Sequence, residues 1–197
     1  MKLKRILSLA LSGVLAVSML TACGGGSSIS SLLDNRTSTV RSALNGAQVM
    51  VSYKSNDKEL DDAISKVAGT LTPAQVTNGI ADSSVSTTVR QLTGYGDMGL
   101  GGAWKAQTTV GSETYVKVFV YNVENEAFDT ASEVANDIAG KLEVMKLKSN
   151  TATKVEGYTN SYKGNVVAYE KTIGEGDSAF DAWVVGVSIT QTVSADK

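Results

Sequence analysis

Apolar residues recur with helical spacing in the first half of the chain and with strand spacing in the second half. Leu60, Ile64 and Val67 are separated by three or four residues, which is the spacing of one helix face. The polar residues 55–57 just before them offer an N-cap. Together these features predict a helix over residues 58–69.

Further segments of the first half carry weaker helical patterns. A helix is predicted from residue 30 or 31 to residue 44, and a short helix over residues 72–78 is indicated by a threonine followed by the only proline of the chain. Residues 47–54 alternate as a short strand would, with continuation of the preceding helix as the alternative. Residues 83–92 fit either a helix or a strand.

The second half alternates apolar and polar residues with the period of two that is typical of strands. Residues 103–110 and 113–123 predict an antiparallel hairpin around Gly111 and Ser112. The second of these strands is apolar on both faces, which favours a central place in its sheet. In the last strand Trp183 and Val185 alternate with smaller residues, which predicts one buried face. Other strands are predicted at residues 154–158, 165–172 and 182–192, with turns at 160–164 and 174–177.

Residues 126–146 carry the longest amphipathic pattern in the chain. Its apolar stripe consists of Phe128, Ala131, Ala135, Ile138, Leu142 and Met145. A helix with one such stripe buries it against one face of a sheet. The sequence therefore predicts an α+β fold, in which this helix packs on one face of an antiparallel sheet and the N-terminal half is the more helical.

The first 22 residues follow a different pattern from the rest. Lys2, Lys4 and Arg5 precede an uncharged apolar run over residues 6–20. A helix of that length is about 22 Å long, which is shorter than the ~30 Å hydrocarbon core of a bilayer. The pattern therefore predicts a signal peptide and not a resident membrane span.

The apolar run ends in Leu20, Thr21, Ala22 and Cys23. This order resembles the lipobox of bacterial lipoproteins. The resemblance implies cleavage between Ala22 and Cys23, diacylglyceryl transfer to the Cys23 sulfur, and often acylation of the new amino terminus by a fatty acid such as palmitate. The alternative is an ordinary secretory signal peptide that leaves Cys23 as a free thiol.

The resemblance predicts three regions along the chain. Residues 1–22 would be the cleaved signal peptide, residues 23–30 the acylated cysteine with a flexible Gly/Ser tether, and residues 31–197 one extracytoplasmic domain. Two or more acyl chains anchor a protein stably. We therefore expect a lipid-anchored protein on the extracytoplasmic face of the cell membrane, with the bilayer as a partner through acylated Cys23.

Composition removes several chemistries. The chain has no histidine, which excludes His-based triads and His-ligated metals, and its one cysteine excludes an intrachain disulfide. Residues 1–22 contain three of the 18 basic residues and none of the 20 acidic ones, so the remaining chain carries 15 basic and 20 acidic residues, a net charge of −5. An acidic chain with scattered basic residues is a poor nucleic-acid ligand. We expect no nucleic-acid partner, no metal and no cofactor.

Two further segments carry patterns with both a structural and a functional interpretation. Residues 94–99 match G-x-G-x-x-G, but a strand-like segment follows where dinucleotide binding requires a helix, so a flexible loop is predicted, with a ligand lid as the alternative. The carboxylates of residues 57–62 lie at a helix start, where the helix dipole favours them. Calcium binding is the alternative there and at the turn of residues 174–177.

Without histidine, catalysis would need a carboxylate pair or a Ser–Lys dyad. Glu124 and Glu126 lie at a predicted strand-to-helix corner, and Ser55 with Lys58 matches S-x-x-K. The helix dipole explains the first pair and the capping position explains the second. Neither pair predicts an enzyme.

Aromatic residues offer one tentative ligand platform. Trp104 and Trp183 fall in predicted strands, where large aromatic side chains are usually part of the core. If one face of the sheet is open, a platform for a glycan or peptide would consist of Trp104, Tyr158, Tyr162 and Tyr169.

These features predict a membrane-anchored extracytoplasmic lipoprotein that acts as a non-catalytic binding module of the cell envelope, with an envelope protein or a cell-wall component as partner. The alternative is a receptor for a small molecule or glycan, associated with transport. A carboxylate-based hydrolase is the third reading. The sequence leaves the oligomeric state open.

Overall fold

The computed structural model describes residues 33–99, 104–148 and 153–196. Short strands alternate with helices in the first half of the chain, and three long strands follow. The helices are α1 (Thr37–Ala47), α2 (Lys58–Thr70), α3 (Ser83–Thr93) and α4 (Ala131–Leu142), and the strands are β1 (Leu33–Asn35), β2 (Tyr53–Lys54), β3 (Gly79–Ile80), β4 (Gly96–Asp97), β5 (Gly111–Asn122), β6 (Lys154–Val155), β7 (Tyr158–Ile173) and β8 (Phe180–Ala195). The predicted α+β class and the more helical N-terminal half are confirmed.

The strands form one sheet whose central ladder is β7–β8–β5, antiparallel throughout. Short strands border it on both outer edges: β3 and β4 pair with β5, while β1, β2 and β6 pair with β7. Among these, β2 and β4 run parallel to their partners. The sheet is therefore mainly antiparallel, and β8 is its central long strand.

Helices cover both faces of the sheet. α1 and α4 pack on the face that carries Phe119 and Val185, and α2 and α3 pack on the face that carries Val118 and Val184. The central strands are thus buried on both sides, as their apolar residues on both faces require. Within the described ranges no helix has the length and apolar character needed to span a bilayer.

The predicted long helix exists but is shorter than residues 126–146. α4 begins at Ala131, because Thr130 accepts a hydrogen bond from the Glu133 N–H and the Glu133 side chain accepts one from the Thr130 N–H. Phe128 precedes the helix and packs on the Tyr121 ring at 4.9 Å. The stripe residues Ala135, Ile138 and Leu142 are buried as predicted; the Met145 side chain lies outside the part that the structure describes.

The predicted hairpin at residues 103–123 is wrong. Residues 104–110 are irregular, residue 103 lies outside the described part, and Gly111 and Ser112 begin β5 instead of forming a turn. β5 pairs with β8 over twelve residue pairs, from Gly111 opposite Val193 to Asn122 opposite Ala182. A strand with two apolar faces needs a long partner, and the neighbouring segment is too short to provide one.

Two other strand predictions fail because glycine and small polar residues resemble turn positions or surface positions. The predicted turn at residues 160–164 lies inside β7, which runs unbroken to Ile173. Gly164 lies beneath the Tyr53 ring, where an added Cβ would approach Tyr53 Cε1 to 2.6 Å. β8 is buried on both faces, and not on one as predicted, because Gly186 and Ser188 face α2 and its N-cap.

The N-terminal helices begin and end where local capping allows. α2 and the hairpin turn of residues 174–177 agree with prediction, and the ambiguous residues 83–92 are helical as α3, which starts at Asp82 and stops at Gly94 with a φ of 72°. α1 begins at Thr37 because β1 precedes it; the predicted starting residues 30 and 31 lie outside the described part. In the segment of residues 47–54 only β2 is a strand.

Candidate functional site

An open cleft of about 430 Å³ lies where the first turns of α1 and α2 approach the edge of β7. β1 pairs with residues 169–171 of β7, and β2 pairs with residues 164 and 165. The segment between these pairings contains Val167, which lies in the cleft. The described residues that line it are Asn35, Thr37, Ser38, Arg41, Ser55, Asn56, Asp57, Lys58, Asp61 and Val167. Its size is within the usual range of small-molecule sites. We call it the α1–α2 cleft.

Asp57 forms the structural corner of the cleft. Its Oδ1 accepts hydrogen bonds from the Leu60 N–H at 3.0 Å and the Tyr95 hydroxyl at 2.9 Å, and its Oδ2 accepts one from the Ser188 hydroxyl at 2.9 Å. The carboxylate therefore caps α2 and joins it to β8. With three donors already bound, Asp57 is a positioning residue of the cleft.

Asp61 lies one turn further along α2, and its spacing from Asp57 places both carboxylates on one helix face. Its Oδ1 accepts a hydrogen bond from the Tyr169 hydroxyl at 2.8 Å. Burial, and then this bond, raise the pKa of Tyr169, so the phenol remains a donor at neutral pH. The second carboxylate oxygen has no partner among the described residues. Asp61 therefore offers one acceptor atom to the cleft.

Arg41 provides the positive charge on the α1 side. Its Nη1 donates to the Ser55 Oγ at 2.8 Å. Within the described residues it forms no ion pair, whereas Arg36 pairs with Glu170 and Lys58 pairs with Asp62. A guanidinium carries five N–H donors, so most of those of Arg41 remain available.

Arg36, the N-cap residue of α1, forms no side-chain capping bond, whereas the N-cap residues of the other three helices do. The first turn of α1 also has no acidic residue. Asn35 Oδ1 accepts from the Thr37 N–H, while Ser38 lies in the cleft without a side-chain bond to the described residues. The positive end of the α1 dipole therefore adds to the field of Arg41.

The structure brings together only two of the four residues proposed as an aromatic platform. The Trp104 and Tyr162 rings meet edge to face at 5.7 Å, but Trp104 is only 8% exposed and its Nε1 donates to the Leu142 carbonyl. Tyr169 lies on the opposite face of β7 from Tyr162, because successive residues of a strand face opposite sides and these two are seven positions apart. Tyr158 shares a face with Tyr162 but lies four residues away, about 13 Å along the strand.

The other candidate groups have structural partners or stand exposed. Lys58 pairs with Asp62 and is not joined to Ser55, whose hydroxyl accepts from Arg41. Residues 94–99 end α3 and form β4, with no helix following. Glu124 and Glu126 are exposed in a turn before α4. Among the described residues no three or more metal-ligating side chains form a group.

The predicted signal peptide, Cys23 and the predicted Gly/Ser tether lie outside the described residues. Searches of protein-family models, curated proteins and solved structures find no match to the chain.

Tyrosines bonded to carboxylates are a repeated feature of the fold and predict alkaline sensitivity. Burial, and then a carboxylate partner, raise the pKa of Tyr95 and of Tyr121 above the ordinary value of 10. The bond to Glu113, and then burial, raise the pKa of Tyr115 to about 12. A raised folded pKa stabilises the fold below pH ~10, and that contribution is lost as the pH rises further.

We therefore expect the free energy of unfolding to fall between about pH 9 and about pH 11.5. Tyrosinate absorbance of the folded protein should also appear at higher pH than that of the protein in concentrated urea. Tyr121→Phe should lose less stability over this interval than the parent chain. Coincident titration of folded and unfolded protein would contradict the prediction.

Proposed function

We propose that the chain is a lipoprotein of the bacterial cell envelope, held on the extracytoplasmic face of the cell membrane through acylated Cys23. The support is the order of a basic segment, a short apolar run and the lipobox of residues 20–23. In this proposal the domain of residues 33–196 is a non-catalytic binding module that stands away from the bilayer on the tether.

The α1–α2 cleft is the observation that favours a small polar ligand over a large partner surface. Polar side chains from two helix starts and one strand converge on a volume of about 430 Å³, as in a receptor site. In contrast, only four large apolar residues of the described chain are exposed: Val49, Leu92, Val110 and Val155. A protein-docking surface usually needs a contiguous apolar patch. Lys58 and Ser55 have other partners, and Glu124 and Glu126 are exposed, so neither pair supports the hydrolase alternative.

Ligand binding can be tested by thermal unfolding of the full chain in detergent micelles. Trp104 and Trp183 are 8% and 7% exposed, so their fluorescence reports loss of the core. The panel contains amino acids, short peptides, muropeptides, oligosaccharides and calcium. A ligand at about 100 times its dissociation constant adds about 2.7 kcal/mol, which raises the midpoint by roughly 5–10 °C.

Two tryptophan variants assign any shift to the cleft. Ser38 lines the cleft, and Thr39 beside it is exposed but does not line it. Ser38→Trp should fill the cleft and abolish the shift, while Thr39→Trp should retain it. A shift that survives Ser38→Trp, or a panel without any shift, would overturn the cleft as the binding site.

The anchor is tested separately by fatty-acid labelling in bacterial cells. Cys23→Ala should abolish incorporation of labelled palmitate and release the protein from the membrane fraction. Persistence of the label in Cys23→Ala would show that the lipobox assignment is wrong.

A further inference from the structure

The α1–α2 cleft is lined by side chains of both charge signs, and few of these charges are paired with one another. Arg41 and Lys58 are its cations, and Asp57 and Asp61 are its carboxylates, so the lining has no net charge. Lys58 is paired with Asp62 outside the lining, and Asp57 already accepts three hydrogen bonds with its two oxygens. The groups left for a ligand are the guanidinium of Arg41 and one oxygen of Asp61.

These two groups project from different helices, Arg41 from α1 and Asp61 from α2, and both are half-buried. A half-buried charge is weakly screened by solvent, so each has more to gain from a ligand charge than an exposed residue has. Guanidinium groups bind carboxylates through two parallel hydrogen bonds, and carboxylates bind ammonium groups. A cleft with a guanidinium on one helix and a carboxylate on the other therefore suits a ligand that carries both a carboxylate and an ammonium group.

The remainder of the lining points to the same class of ligand. Asn35, Ser38, Ser55 and Asn56 provide amide and hydroxyl groups, and among the described lining residues Val167 is the single apolar side chain. None of these lining residues is aromatic, so they offer no apolar platform to a sugar ring or a hydrophobic ligand. Amide and hydroxyl groups instead match a peptide bond between two charged ends.

From this arrangement we infer that the ligand is a zwitterion of the amino-acid or short-peptide class. Its carboxylate binds Arg41 beside the first turn of α1, and its ammonium group binds Asp61 on α2. This inference rests on the proposed function of the cleft and specifies the chemistry of its ligand.

The test uses dialanine and two derivatives, each lacking one charge, with binding to the full chain measured by calorimetry in detergent. N-acetyl-dialanine lacks the ammonium group, and dialanine amide lacks the carboxylate. Loss of a charge-assisted hydrogen bond weakens binding by about tenfold to about a hundredfold. We expect a loss of that size for each derivative.

Variants connect each ligand charge to its residue. Asp61→Asn should weaken dialanine by the same factor as acetylation and should leave N-acetyl-dialanine unaffected. Glu59→Gln is the control, because Glu59 is an exposed carboxylate of α2 that neither lines the cleft nor pairs with a described residue. Arg41→Gln should weaken dialanine and leave dialanine amide unaffected.

The outcomes separate this inference from the proposed function. If an oligosaccharide binds and Ser38→Trp abolishes its binding, the cleft is a ligand site but the zwitterion inference is wrong. Equal binding of dialanine and both derivatives would also overturn the inference. If neither peptides nor sugars bind, both the inference and the proposed ligand site fail.

Discussion

Gly186→Ala is expected to destabilise the protein by about 1–3 kcal/mol, although it adds only a methyl group. Gly186 lies in the middle of β8, between Val118 of β5 and Val167 of β7. A Cβ there would stand 2.5 Å from Ile64 Cδ1 of α2, well inside contact distance. Because both neighbours of β8 fix its position, α2 would have to move away from the sheet.

Thermal unfolding followed by tryptophan fluorescence measures this effect, with Gly140→Ala as the control. Gly140 lies in α4 with no atom within 4 Å of its added Cβ, so the same chemical change there should stabilise the helix by up to about 1 kcal/mol. In an Ile64→Ala background, Gly186→Ala should cost much less, because the clashing atoms are gone. Equal effects at both glycines would contradict the proposed close packing.

Asp57→Ala should cost about 2–4 kcal/mol, the largest effect expected of any exposed or half-buried polar residue here. The substitution removes the N-cap of α2, which accounts for about 1 kcal/mol. It also leaves the hydroxyl of Ser188, which is 1% exposed, without its acceptor. A buried hydroxyl without a partner adds about 1–3 kcal/mol.

Two further variants separate the cap from the buried bond. Asp82→Ala removes only the N-cap of α3 and should cost about 1 kcal/mol. Adding Ser188→Ala to Asp57→Ala should recover part of the loss, because the orphaned hydroxyl is removed with its acceptor. If Asp57→Ala and Asp82→Ala have equal effects on urea unfolding, the bond to Ser188 contributes nothing.

The sequence predicted those elements whose signals are local. α2 follows from its apolar spacing and its capping aspartate, and the buried stripe of α4 follows from its period. α4 starts five residues after the predicted residue 126, because the Thr130–Glu133 capping box fixes its start and the acidic residues before it lie in a turn. Helix boundaries depend on such short-range bonds and are readable in principle.

Long-range packing explains the failures. Gly164 resembles a turn glycine and Gly186 resembles a residue on an exposed strand face, but an aromatic ring lies against the first and a helix lies against the second. The choice of β8 as the partner of β5 depends on residues about 70 positions away. The cleft was missed for the same reason, since the positions of Arg41 and Asp61 in the sequence do not show that their helices begin at one strand edge.

The central position of β8 determines how late in synthesis the protein can fold. Both core layers need β8: one contains Trp183, Val185 and Val187, and the other contains Ala182 and Val184. Neither layer can close until residues 180–195 have left the ribosome, so a chain synthesised from its N-terminus gains its core only after these residues emerge.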